Sequence, residues 1–130
     1  MCSSDLNVIL LDYLKETGDR ETALDLWKVA KEQIRAALET DDCVMPGSPY
    51  ATHYLIEAML LSGMNEEAKA YLTDYWGGMV RKGFDTFPEA YDPADELFSP
   101  YHFVPLNSNC HAWSCTPVYF IQAYPDVFLR

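Results

Sequence analysis

Two short stretches hold residue types that could do chemistry. In FPEAY, Glu89 sits between Phe87–Pro88 and Ala90–Tyr91. A carboxylate in apolar company loses hydration, which raises its pKa, while hydrogen bonds to the ionised form pull it down. In CHAWSC, His111 and Trp113 are one residue apart, flanked by Cys110 and Cys115. An imidazole can give and accept hydrogen bonds, and an indole offers a broad apolar face with one N–H. The set suits a hydroxyl-bearing ring. The plainer reading is an exposed loop glutamate and a tryptophan packed for its bulk.

Other chemistries fit less well. The C-H-x3-C order of CHAWSC lacks the paired ligand clusters of zinc sites, so no metal and no cofactor is expected. Cys110 and His111 do not become a nucleophile–base pair by adjacency, because the two side chains must converge in space. Cys2, Cys43, Cys110 and Cys115 are too few and too unevenly spaced for a disulfide framework, and reduced, mostly buried thiols are expected.

Both stretches fall in a segment, Gly83 to Cys115, that combines prolines, carboxylates and aromatic rings without a lysine or arginine. Such a composition predicts a long irregular loop near 84–110. It is either an Ω-type loop packed on its own side chains or a binding surface. The net charge is −11, with no basic residue and six acids between Lys82 and Arg130. Nucleic acid and anionic membranes are therefore disfavoured as partners, since both are held by lysine and arginine. A neutral ligand is tolerated. No apolar run reaches the roughly 18 residues of a membrane span, and MCSSDLNVIL lacks the basic and apolar regions of a signal peptide. The compartment is not legible.

The elements that must position these residues are helical. SSDLNVILLDYLKETGD opens with capping serines, carries Leu6, Ile9, Leu10, Tyr13 and Leu14 at helical spacing, and stops at Gly18. RETALDLWKVAKEQIRAALET puts Ala23, Leu24, Trp27, Ala30, Ile34 and Leu38 on one face. A third helix begins near Ser48 with Pro49 in its first turn, and NEEAKAYLTDYWGGMVRKG makes a fourth. Glu16–Leu24 and Leu61–Lys69 superpose at an offset of 45, matching Gly18 with Gly63, Glu21 with Glu66 and Ala23 with Ala68. That offset predicts two similar helical hairpins. Gly77 and Gly78 weaken the fourth helix and read as concessions to packing. AWSCTPVYFIQAYPDVFL predicts a last helix of three to four turns, with Pro117 in its first turn. Its lack of a polar face implies cover on nearly all sides.

SPYATHYLIEAMLLSGMNEEAKAYLTDYWGGMVRKGFDTFPEAYDP, followed by NSNCHAWSCTPVYFI, resembles the closing part of the catalytic domain of bacterial α-L-rhamnosidases, covering about Asp12 to Ile121. The resemblance implies an all-α fold whose hairpins form part of an (α/α)6 toroid. Residues 1–130 would then be a partial α/α-barrel glycosidase domain, its C-terminal fragment. It further implies a six-hairpin glycoside hydrolase with Glu89 as the general base, inversion at the anomeric carbon, and His111 and Trp113 contacting the sugar. Tyr91 is expected to line the same sugar site. The resemblance also implies tryptophan in many relatives at the position of Pro88, a departure expected to reshape the sugar subsite. The family's general acid lies upstream of the matched segment, so the chain alone is expected to be weakly active at most. A partial barrel is also expected to self-associate through exposed apolar helix faces. The competing expectation is a non-catalytic helical-repeat module that binds protein, with Glu89, His111 and Trp113 on separate surfaces.

Overall fold

A computed structural model describes residues 3–40 and 47–130. Helix α1 spans Ser3–Thr17, α2 Arg20–Glu39, α3 Pro49–Leu61 and α4 Asn65–Arg81. After a long irregular segment come α5, Thr116–Ala123, and the single turn α6, Pro125–Phe128. No strand occurs among the described residues. The fold is all-α, built from helical hairpins.

The hairpins follow from local chemistry. Gly18 and Gly63 adopt φ of 68° and 70°, the left-handed conformation that ends a helix and that only glycine takes without strain. Asp19 caps α2 by accepting from the Thr22 N–H, at 3.1 Å. At the matching place in the second hairpin the cap residue is Met64, which offers no side-chain acceptor. Ala23 and Ala68, equivalent under the 45-residue offset, are both fully buried where the helices of each pair come close.

Helix α1 packs on α2 and α3, α3 on α4, α5 on α3 and α6 on α4. Helix α3 supplies the centre of the core with Ile56, Met59 and Leu60, joined by Ile34 of α2, Trp76 and Met79 of α4 and Phe120 of α5. Each such fully buried large side chain stabilises the fold by about 1.5–3 kcal/mol. Ser48 begins α3 by accepting from the Ala51 N–H at 3.3 Å, with Pro49 behind it in the first turn.

Four expectations need correction. Ile9 and Leu24, placed on apolar faces by spacing, are each 52% exposed, because α1 and α2 bury narrower stripes centred on Leu10, Ala23, Ala30 and Ile34. Leu6 lies where side chains are outside the described residues. The last helix is shorter than periodicity suggests: α5 ends at Ala123 and Pro125 opens a separate turn. Nor is α5 covered on all sides, since only Pro117 and Phe120 are buried while Val118, Tyr119 and Ile121 are exposed. Cys110 and Cys115 are free thiols but exposed, because both lie on the irregular segment rather than beneath it; Cys2 and Cys43 are outside the described residues.

Candidate active site

Two separate pieces of the irregular segment are tied together beside the start of α5. The Glu89 N–H donates to the Ser108 carbonyl at 2.8 Å, and the His111 N–H donates to the Phe87 carbonyl at 2.9 Å. Thr86 adds a hydroxyl bond to the Asn109 carbonyl. This short backbone pairing puts Glu89 and His111 side by side although 22 positions separate them in sequence. Ser114, wholly buried, fixes the pair to the helical body. Its hydroxyl donates to the Pro88 carbonyl at 2.7 Å, and its own carbonyl accepts the Trp76 indole N–H at 2.8 Å. Trp76 therefore holds the buried indole partnership, leaving Trp113 free to sit at the surface.

The Glu89 carboxylate is half-buried and has a donor on each oxygen. Oε1 accepts from the Tyr101 hydroxyl at 2.5 Å, and Oε2 from the Ser108 N–H at 3.3 Å. The Tyr101 bond is the largest influence holding the Glu89 carboxyl below its ordinary pKa. Partial burial opposes it, and the Ser108 N–H and the nearby His111 reinforce it. Hydrogen bonding therefore outweighs desolvation, and the group is ionised at neutral pH. A carboxylate accepts at about four lone-pair positions, so each oxygen keeps room for a water or a hydroxyl.

The His111 and Trp113 rings are in contact, tilted by 43° with centroids 4.1 Å apart. Both belong to a short 3₁₀ turn, Ala112–Ser114, and its cap residue, rather than to α5 itself. Trp113 is 46% exposed and its other neighbour is Tyr50 at the start of α3, 5.3 Å away. Tyr54, one turn along α3, donates its hydroxyl to that of Tyr50 at 3.0 Å. The result is an exposed aromatic surface leading from the Glu89 carboxylate onto α3.

Tyr91 sits apart from this surface. It is buried, edge-on to Tyr75 and Phe84, and lines a hollow of about 940 Å³ with Tyr71, Tyr75, Gly78 and Phe98. Neither Glu89, His111 nor Trp113 lines that hollow. Sequence reasoning missed Tyr50 and Tyr101. A signal was present, because Ser-Pro-Tyr occurs twice, at Ser48–Tyr50 and Ser99–Tyr101. In each copy the serine hydroxyl accepts local backbone N–H groups and so fixes the chain beside the tyrosine. No cluster of three or more histidine, cysteine, aspartate or glutamate side chains able to hold a metal occurs among the described residues.

Helical hairpins with a carboxylate-bearing loop over their ends are the architecture of an α/α-barrel segment. A solved structure described as a rhamnosidase from Klebsiella oxytoca with rhamnose bound is similar to this chain, with 43% sequence identity and a TM-score of 0.72. The match covers 76% of this chain and 19% of that protein. The chain is thus similar to that rhamnosidase over most of its own length and spans about a fifth of the relative's. No family model and no curated protein matches it.

Proposed function

We propose that this chain forms part of a rhamnosidase-like glycoside hydrolase site that holds a terminal sugar. Glu89 acts as the general base, and His111 and Trp113 form the sugar wall. The observation that carries the reading is the joint placement of Glu89 and His111 by backbone pairing, with the exposed Trp113 ring in tilted contact with His111. The 43% identity to a rhamnosidase supports it. An ionised carboxylate with unused lone pairs can take a proton from water as that water attacks the anomeric carbon. Inversion requires a second carboxyl, the acid, about 6.5–9.5 Å across the scissile bond, and no residue of this chain is assigned that role. Trp113 and Tyr50 offer apolar faces to sugar C–H groups, and His111 a hydrogen bond to a hydroxyl. Tyr91 takes no part in this wall; it packs against Tyr75 and Phe84, and its carbonyl accepts the Tyr75 hydroxyl at 2.9 Å. Residues 1–130 make one partial α/α-barrel unit in this reading, self-associating through its exposed apolar faces.

Titrating L-rhamnose while following side-chain NMR signals tests the assignment. Glu89, His111 and Trp113 resonances are expected to move together and saturably, and Trp113→Ala is expected to abolish the response. Silence of all three at millimolar sugar would overturn it and favour the protein-binding module. Against that second reading stands the convergence of Glu89 and His111, which it expects on separate surfaces.

A further inference from the structure

We propose that Tyr101 is the positioning residue for the Glu89 carboxylate, the loop it tips acting as a strap that aims this group. The inference rests on Glu89 serving as the base, but its geometry stands independently. Tyr101 reaches Glu89 Oε1 while Ser108, at the far end of the same loop, reaches Oε2. One loop therefore grips both oxygens. The phenol is 48% exposed, so a hydrogen bond rather than burial determines where its ring lies.

The loop is built to present that hydroxyl. The Ser99 hydroxyl accepts from the N–H groups of Tyr101 and Phe103, at 3.2 and 3.3 Å, tightening the turn around the tyrosine. The Ser99 hydroxyl also donates to Asn107 Oδ1 at 2.8 Å, while Asn107 Nδ2 donates to the Phe98 carbonyl at 2.9 Å, closing the base of the loop. His102 at the tip has φ of 54°, a left-handed conformation uncommon outside glycine.

The groups facing the carboxylate are the Tyr101 phenol and the Ser108 N–H from the loop, and His111 from the paired segment. A phenol donates to the ionised carboxylate more strongly than to the neutral acid, so removing it favours protonation. Tyr101 is itself pushed above the ordinary phenol value by the same bond, so it keeps its proton while Glu89 changes charge.

The experiment is a pH titration of the ¹³C-labelled side-chain carboxyl of Glu89, assigned with Glu89→Gln, in the unmodified chain and in Tyr101→Phe. The half-exposed ring can lose its hydroxyl without disturbing the core, and circular dichroism verifies the fold. The proposal requires the Glu89 midpoint to move upward in Tyr101→Phe and the His111 ring signals to shift with it. An unchanged midpoint in a folded variant overturns the proposal. Adding L-rhamnose to the same samples separates the two ideas: a raised midpoint without sugar-induced shifts in either protein sustains the strap and rejects the glycosidase reading.

Discussion

At the scale of single residues, the group on which the site leans hardest is Ser114, which touches no ligand-facing surface. It is wholly buried, and through its two oxygens it connects the Pro88 peptide, adjoining Glu89, to Trp76 in α4. Replacing it with alanine leaves the Pro88 carbonyl without its hydroxyl partner in a dry environment. That costs roughly 1–3 kcal/mol, since the penalty is the desolvation of the abandoned acceptor rather than the modest net worth of a hydrogen bond. Urea unfolding is expected to show Ser114→Ala destabilised by that amount. A Ser114→Ala midpoint equal to that of the unmodified chain would mean the tether is dispensable. The same residue shows why part of the site was hidden in the sequence. Glu89, His111 and Trp113 were singled out by composition and resemblance, and the fold brings them near one another. Ser114 looked like any polar residue in a turn, because its partner lies 26 positions away and meets it only after folding. Tyr101 was hidden for the same reason, its carboxylate being 12 positions distant across an irregular loop.

Among the elements, α4 carries two adjacent glycines with opposite characters. A Cβ on Gly78 would lie 2.8 Å from the Tyr91 hydroxyl, and the Tyr91 ring is wedged against Tyr75 and Phe84. A Cβ on Gly77 meets only the Arg81 guanidinium, at 3.1 Å, on a largely exposed side chain free to swing away. Alanine improves helix propensity by about 1 kcal/mol at either place. At Gly78 overpacking of about 1–3 kcal/mol outweighs that gain. Gly77→Ala is therefore expected to raise the denaturation midpoint and Gly78→Ala to lower it. Equal effects of the two substitutions would show that Tyr91 yields. Helix boundaries were readable because capping serine and aspartate, first-turn prolines and left-handed glycines act within a few residues of themselves. The exposure of Ile9 and Leu24, and the open face of α5, were not readable. Which stripe of an apolar helix gets covered depends on neighbours that no local pattern specifies.

For the whole molecule, charge and apolar surface pull in opposite directions. A net charge of −11 opposes association at low salt. Yet Leu26 and Val29 on α2 and Val118, Tyr119 and Ile121 on α5 are exposed, and apolar surface of this kind seeks cover. Salt screens the charge repulsion and leaves the hydrophobic term intact. Light scattering is expected to show a mass that rises with protein concentration and rises further with salt. Val29→Glu is expected to reduce that rise. A constant monomer mass over a wide concentration range, at low and high salt, would refute self-association.

The pairing of Phe87–Glu89 with Ser108–His111 runs through main-chain groups, which every amino acid possesses. Side chains between the two pieces can therefore change while the carboxylate and imidazole stay in register. The intervening stretch hangs from that clip like a cassette, and, Ser99 and Tyr101 apart, changing its side chains alters what reaches Glu89 without moving the clip. For an engineer, the side chains of 92–98 and 102–106 are the ones to vary while the clip stays in place.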